Sequence, residues 1–414
     1  MATSQAWSRS REGSVLADPN SFKGTSSRRR SRSSTTAAME TAAALTRARS
    51  RRLNNPCGLD ALGDDVIRAM LVRSPFCCHD TVRTCCRRLN ALIRSPSFRD
   101  ERLRSGYAEN GLVVAGGYNA DARTTTACWL LAGERWRPIG SLHSPRAGAC
   151  TVVYQGEMWV IGGRKDNKED RPDGSPKIIR SVEAFNPRTG KWRKIRSLAH
   201  PRLGHVAGVV GNKVIVAGGG NQERSVEQYN PETGRWTELP LLPEGAFYAT
   251  ACVLNNRLYV AGSTIVGTSD QLWMWDGAEW HRKASLPTGR DGAAGFVHNG
   301  KMVVAGGRIS NDDGTDRVDT RSVIIYDELT DTWETGEPLV DTMANGSIQS
   351  VVQPNGDVVL YGGGMSTPQR LSDGFWEELP DAELDLYFGV DDRLMTRVGI
   401  STAAMSSIAL VPLG

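Results

Sequence analysis

A short apolar run closed by two glycines recurs along this chain. The copies are Leu112-Val113-Val114-Ala115-Gly116-Gly117, Trp159-Val160-Ile161-Gly162-Gly163, Val214-Ile215-Val216-Ala217-Gly218-Gly219, Met302-Val303-Val304-Ala305-Gly306-Gly307 and Val359-Leu360-Tyr361-Gly362-Gly363. A sixth, Leu258-Tyr259-Val260-Ala261-Gly262-Ser263, has serine for the second glycine. Successive first glycines lie 46, 56, 44, 44 and 56 residues apart. Repeats of that length are supersecondary units that bury their apolar faces against one another. Each pair is followed by a tryptophan: Trp136, Trp192, Trp236, Trp280, Trp333 and Trp376. Trp129, Phe185, Tyr229, Trp273 and Tyr326 precede five of these by seven positions, with turn residues such as Asn186-Pro187-Arg188-Thr189-Gly190 between. That pattern predicts a hairpin in each repeat. The last copy lacks the earlier aromatic. Arg146-Ala147-Gly148, Arg202-Leu203-Gly204 and Arg290-Asp291-Gly292 stand sixteen residues before their glycine pairs, with an apolar strand between. The unit is therefore four short strands.

The 44 glycines among 414 residues suit a fold rich in tight turns. No apolar run approaches membrane-spanning length, and the start of the chain lacks the apolar core of a secretory signal. The net charge of +4 divides unevenly: residues 1–52 carry eleven Lys/Arg and three Asp/Glu, +8, which leaves −4 for the remainder. A mildly acidic body argues against nucleic acid as a partner. The eight cysteines include two adjacent pairs, Cys77-Cys78 and Cys85-Cys86, and do not form a disulfide framework, so a reducing compartment is expected.

Residues 1–53 are rich in Ser, Arg and Ala and poor in large apolar residues, the composition of a disordered tail. The run Ser26-Ser27-Arg28-Arg29-Arg30-Ser31-Arg32-Ser33 reads as a solvated basic stretch, a nuclear import signal or part of an organellar transit peptide. From residue 58 the character changes. Leu62, Val66, Ile67, Met70 and Leu71 have helical spacing, with Asp64 and Asp65 as caps and dipole partners and Pro75 as terminator. A second helix is expected from Val82 to Ile93, containing Cys85, Cys86, Leu89, Leu92 and Ile93, and Ser95-Pro96-Ser97-Phe98 closes the segment. A unit this short needs a partner surface.

Glycine pairs followed by a spaced aromatic and tryptophan, without Trp-Asp dipeptides, resemble the kelch repeat over about 300 residues. The resemblance implies an all-β fold, a six-bladed propeller over 106–414. Its first copy, near Gly111, lacks an Arg-x-Gly strand. Arg397-Val398-Gly399 and the run from Ile400 to Leu410 lack a following glycine pair. A closing C-terminal strand is therefore expected to complete the first blade, and residues 381–396 to form an insertion.

The helical unit, 54–105, resembles an F-box. The carrying residues are Leu62-Gly63-Asp64-Asp65-Val66-Ile67-Arg68-Ala69-Met70-Leu71-Val72-Arg73-Ser74-Pro75, then Val82, Cys85-Cys86-Arg87-Arg88-Leu89 and Ser95-Pro96-Ser97-Phe98. Gly63, Ser74 and Leu89 depart from the family's usual proline, leucine and tryptophan. The resemblance implies a non-catalytic substrate-recognition subunit of a cullin-type ubiquitin ligase, in the cytoplasm or nucleus or directed by its tail to plastids, with no cofactor. Leu62, Val66, Ile67, Met70, Leu71, Leu89, Leu92 and Ile93 would dock a Skp-type adaptor and through it a cullin scaffold. The alternative is a kelch scaffold or cytoskeletal binder with a degenerate F-box. A kelch copper oxidase fits poorly, because the six histidines form no evident ligand pair.

In kelch substrate adaptors, arginines at both motif positions line one mouth of the ring. By that resemblance Arg146, Arg202, Arg290 and Arg397, with Arg164 and Arg308 directly after glycine pairs, would read an acidic or phosphorylated segment of a protein substrate. The structural alternative is that the Arg-x-Gly side chains tie blades together. The charged loops from Arg164 to Arg180 and from Arg308 to Arg321 are further binding candidates. Cys77-Cys78-His79 with Cys85-Cys86 lack zinc-ligand spacing and read as small buried hydrophobes.

Overall fold

The computed structural model describes residues 62–118 (residue 75 excepted), 123–132, 135–166, 175–220, 223–264, 267–310, 316–342, 348–362, 368–379 and 407–413. The tail 1–53, the segment 381–396 and Arg397 lie outside them. Strand formation follows the apolar runs. The glycine-pair strands are buried on both faces, as Val113, Val160, Val216 and Val304 show, so they read as continuous apolar runs. The preceding strands alternate: Val206, Gly208 and Val210 are buried, Ala207 and Val209 half-buried.

Six four-stranded antiparallel sheets result. Sheet 1 comprises Ser407–Leu413, Glu109–Ala115, Cys128–Ala132 and Arg135–Ile139, in that spatial order. Sheet 2 comprises Cys150–Tyr154, Glu157–Ile161, Val182–Asn186 and Lys191–Ile195. Sheet 3 comprises Val206–Val210, Lys213–Ala217, Val226–Asn230 and Arg235–Leu239. Sheet 4 comprises Thr250–Leu254, Arg257–Ala261, Leu272–Trp275 and Trp280–Arg282. Sheet 5 comprises Ala294–His298, Lys301–Ala305, Val323–Asp327 and Thr332–Thr335. Sheet 6 comprises Ile348–Val352, Val358–Gly362, Gln369–Ser372 and Phe375–Glu378. The loops after the glycine pairs of sheets 2 and 5 carry short hairpins of their own, Arg164–Lys165 with Lys177–Ile178 and Arg308–Ser310 with Arg317–Asp319.

Apolar clusters lie between sheets. Leu130 and Val411 of sheet 1 pack with Met158 and Phe185 of sheet 2, and Leu112 and Leu131 of sheet 1 with Val351, Val359 and Tyr361 of sheet 6. Each sheet is therefore stabilised by its neighbours, the energetics of a repeat protein. The fold is all-β and propeller-like.

Two expectations need correction. The paired C-terminal strand is Ser407–Leu413, in register with Glu109–Ala115 from Glu109↔Leu413 to Ala115↔Ser407, later than the expected run from Ile400 to Leu410. Arg146, Arg202 and Arg290 each stand four residues before their sheet's first strand. Arg397 lies outside the described residues. The aromatic-to-tryptophan pairing also differs between sheets. Phe185↔Trp192, Tyr229↔Trp236 and Tyr326↔Trp333 face one another as expected. Tighter hairpins in sheets 1 and 4 instead oppose Leu131 to Trp136 and Trp275 to Trp280, displacing Trp129 and Trp273 by two positions.

Among the described residues, four helices precede the sheets: α1 (Asp64–Val72), α2 (Phe76–Cys85), α3 (Arg87–Arg94) and α4 (Pro96–Arg104). Asp64 and Asp65 occupy the first turn of α1, where they favour its dipole, but Gly63 holds the N-cap without a side-chain bond, so neither is a cap. The single helix expected from Val82 to Ile93 is broken at Cys86. Its backbone is extended there, and its Sγ accepts from the Leu89 N–H at 3.5 Å, starting α3. Helix α4 was not anticipated. It brings in Arg102, fully buried, whose guanidinium donates to the carbonyls of Val72 (2.7 Å), Ser74 (2.6 Å) and Tyr107 (2.6 Å). One cation thus satisfies the C-terminal end of α1 and fastens the link into the first strand.

The pairing of Ser407–Leu413 with Glu109–Ala115 can be tested at Val411, which has no exposed surface. Val411→Asp buries an unpaired carboxylate and should cost on the order of 4 kcal/mol in urea denaturation. A loss below about 1 kcal/mol would show that the strand contributes little.

Candidate functional site

The first strands of the sheets converge on a cavity of about 420 Å3. Small residues from successive sheets line it: Thr151, Ala207, Ala251, Gly295 and Ser350, with Ala409 from the C-terminal strand. Val153 and Val352 line it toward the far ends of their strands, and Val209, Val253 and Val297 hold the same register position in sheets 3 to 5.

At the opposite end, where the first strands begin, the glycine pairs link the sheets. The Gly117 N–H donates to the Arg146 carbonyl (2.8 Å), Gly163 to Arg202 (2.8 Å), Gly219 to Ala246 (2.7 Å) and Ser263 to Arg290 (2.9 Å). Ser263 makes the same N–H bond without the left-handed backbone that Gly163 and Gly219 hold at φ 97° and 87°. The first position also excludes a side chain: Gly162 has φ 60°, and a Cβ there would lie 2.7 Å from the Arg202 carbonyl oxygen.

Arg146, Arg202 and Arg290 are 0%, 0% and 3% exposed. Arg146 donates to the carbonyls of Gly162 (3.1 Å) and Ser181 (2.9 Å) and pairs with Glu183. Arg202 donates to Gly218 (2.6 Å) and Ser225 (3.1 Å) and pairs with Glu227 at 2.8 Å. Arg290 donates to Gly306 (3.2 Å) and Ser322 (2.9 Å). Ile324 takes the register position of those glutamates, so desolvation pushes the Arg290 pKa down to about 10. The expectation that these three guanidiniums face a ligand is corrected: they brace the strands of their own sheets, while their carbonyls join neighbouring sheets.

Arg164 and Arg308 are different, 30% and 32% exposed. Arg164 donates from Nε to the Tyr118 hydroxyl at 2.6 Å, with its guanidinium carbon 5.5 Å from that ring's centroid, and lies 3.7 Å from Asp166. Burial pushes the Tyr118 phenol up to about 12. Arg308 shares the buried carboxylate of Asp291 with Arg317, each at 2.6 Å to the same oxygen. Three arginines face two aspartates here, a local net charge of +1.

One residue of this mouth escaped the sequence reading. Gly148, Gly204 and Gly292 open their sheets with φ 62°, 64° and 66°, and at the same position sheet 4 has Tyr248, φ 53°. A bulky residue in the left-handed region costs about 1–3 kcal/mol. Tyr248 lines the cavity, and its phenol lies within electrostatic reach of Arg164, Asp291 and Arg308. The signal was the loss of both motif residues, Ala246 and Tyr248 replacing Arg and Gly.

Of the apolar residues expected on the helical unit's docking face, Ile67, Leu89 and Leu92 form its core with Val82, and Leu71 and Ile93 pack partly against them. These five are therefore corrected to core. Leu62, Val66 and Met70 remain exposed at 37%, 50% and 58%, Val66 and Met70 one turn apart on α1 and Leu62 just ahead of it. The cysteine-rich segment has other bonds: the His79 ring contacts Ser74 (3.1 Å), the Cys85 thiol donates to the Thr81 carbonyl, and Cys86 caps α3. Among the described residues one trio could hold a metal ion, Asp276, Glu279 and His281, on the exposed outer hairpin of sheet 4 and away from the cavity lining. No described helix is long and apolar enough to cross a membrane.

Two outcomes follow for the bracing residues. Arg202→Met strands the buried Glu227 carboxylate and should cost about 3–5 kcal/mol in denaturant titration, with part recovered by adding Glu227→Gln. His205, buried beside Arg202, has its pKa pushed down to about 3, by burial first and then by that charge. Its ordinary value is about 6.5, so the unfolded chain takes up a proton that the folded one refuses. Stability should be full above pH 6.5 and fall toward pH 3, by about 1.4 kcal/mol per pH unit from this group. His205→Leu should flatten the slope between about pH 6.5 and 5 by that amount, and an unchanged slope would contradict it.

Comparison with known proteins agrees with the sheet pattern. The KLHDC2/KLHL20/DRC7 Kelch-repeats domain matches residues 68–263 and the Kelch motif residues 289–339. Alpha-scruin of Limulus polyphemus is 26% identical over 123 residues, 28% of this chain and 12% of its own length. Kelch-like ECH-associated protein 1A of Danio rerio is 26% identical over 108 residues, 26% of this chain and 17% of its length. N-acetylneuraminate epimerase of Shigella sonnei is 33% identical over 91 residues, 22% of this chain and 24% of its length. The chain thus spans a quarter or less of these relatives. The solved structure of YjhT superposes with a TM-score of 0.53 at 17% identity, covering 64% of this chain and 97% of that one, a likeness of fold. On its sheets, its glycine pairs and these matches, the chain carries kelch-repeat domains in a propeller-like all-β fold.

Proposed function

We propose that this chain is the substrate-recognition subunit of a cullin-type ubiquitin ligase. In this reading α1 to α4 form an F-box that docks a Skp-type adaptor. The six sheets form one closed ring, completed by Ser407–Leu413, whose arginine-bearing mouth holds an acidic or phosphorylated segment of the protein to be modified. Ubiquitin transfer is then promoted by proximity, and this chain supplies no nucleophile. The basic tail would direct it within the cytoplasm, to the nucleus or to plastids.

The observation that carries the reading is the stripe of Leu62, Val66 and Met70. Helix α1 buries Ile67 against its own small core and leaves Val66 and Met70 in water, with Leu62 exposed two residues ahead of it. Exposed apolar helix faces mark docking surfaces. At the mouth, Arg164, Arg308 and Arg317 suit a carboxylate or phosphate, because guanidinium forks bind such groups in bidentate fashion. A scaffold that docks no adaptor is the second reading. It is favoured by Leu89, buried where the F-box family often has tryptophan, and by Ser74, whose hydroxyl donates to the Leu71 carbonyl at 2.7 Å.

Val66→Asp with Met70→Asp changes only exposed positions, so the fold should survive. Recovery of a Skp-type adaptor and cullin with the tagged full chain from its own cells should drop roughly 100-fold. Failure of the unaltered chain to recover either protein would instead favour the scaffold.

A further inference from the structure

Tyr248 stands where the repeat calls for glycine, and the backbone explains why glycine would suffice. The Ala246 N–H donates to the Glu223 carbonyl (2.8 Å), Phe247 to Ser263 (3.1 Å) and Tyr248 to Gly204 (2.8 Å), while the Tyr248 carbonyl accepts from Gly292 (3.0 Å). Main-chain bonds to sheets 3, 4 and 5 thus fix the segment without any help from the tyrosine side chain. That side chain is half-buried, packs edge-on against Phe247 with ring centroids 4.5 Å apart and lines the cavity. A bulky residue held at φ 53° against its conformational preference marks a position where the side chain serves something other than the fold.

Its surroundings suggest what. Gly292, bonded to the Tyr248 carbonyl, directly follows Asp291, the carboxylate that gathers Arg308 and Arg317. Arg164 acts on the same phenol from sheet 2. Tyr118 already bonds Arg164, so one phenol of the mouth is occupied. The Tyr248 phenol is the second, within electrostatic reach of Arg164 and Arg308, which come from two different sheets.

We infer that Tyr248 is the specificity-determining residue of the mouth: its phenol donates a hydrogen bond to the anionic group that Arg164 and Arg308 attract, and its ring narrows the way into the cavity. The inference rests on the reading of this mouth as a receptor for acidic segments. A carboxylate and a phosphate share the chemistry, being planar or tetrahedral oxyanions with lone pairs for both phenol and guanidinium.

The test uses the full chain and three fluorescent peptides identical but for a central pair of glutamates, phosphoserines or glutamines, read by anisotropy. The unaltered chain should prefer one or both anionic peptides to the glutamine peptide, and which one identifies the group. Tyr248→Phe, which keeps the ring, and Tyr248→Gly, which restores the residue of the other repeats, should each weaken that binding roughly tenfold or more. Both variants should keep the wild-type circular dichroism spectrum, since the backbone bonds do not involve the side chain. Wild-type affinity in both variants, with binding lost in Arg164→Ala and Arg308→Ala, would overturn the role of Tyr248 and leave the mouth intact. Absence of any anionic preference in the unaltered chain would remove the mouth reading and this inference with it.

Discussion

The bond from the second position of the glycine pair to the carbonyl that opens the next sheet, seen at four of the described repeats, is what the rest of the molecule hangs on. It runs from Gly117 to Arg146, Gly163 to Arg202, Gly219 to Ala246 and Ser263 to Arg290, at 2.7 to 2.9 Å. This short link draws each sheet's first strand against its neighbour, so apolar clusters form between sheets rather than within them. It also fixes where side chains go. The residue after the pair, Arg164 or Arg308, is carried outward toward water, while the arginine whose carbonyl accepts the bond is turned into the sheet.

Much of this was legible beforehand. The glycine pairs, spaced tryptophans and Arg-x-Gly triplets announced four strands per repeat, because positive φ and backbone contact leave few alternatives to glycine. The fate of the arginines was harder to read. Arg146 and Arg164 are the same residue type at two motif positions, and the partners that receive the buried one, the Gly162 and Ser181 carbonyls and Glu183, lie 16 to 37 residues beyond it and meet it only after folding. Hairpin length was similarly hidden: aromatics seven residues before Trp136 and Trp280 looked like the others, yet tighter turns moved the true partners to Leu131 and Trp275. On the helical unit, spacing identified apolar positions but could not separate the inward Ile67 from the outward Val66, since adjacent residues differ by only about 100° around a helix. Tyr248 went unnoticed because it breaks the motif, and residues that break a local rule are where function tends to sit.

The two ends of the described chain then take complementary parts. Helix α1 presents a bare apolar stripe, and the mouth presents polar arms around a cavity lined by small residues. Between them Arg102 spends its donors on the last carbonyls of α1 and on Tyr107, two residues before the first strand begins. On the proposed reading, a docking element held this way would give a bound substrate a restricted position, the condition for proximity to promote transfer.

Hydrogen–deuterium exchange on the full chain, with and without a purified Skp-type adaptor, tests the central claim most directly. The account predicts adaptor-dependent protection of peptides spanning α1, residues 62–72, with the exchange of sheets 1 to 6 unchanged. An adaptor that leaves α1 exchanging as in the free chain would contradict it.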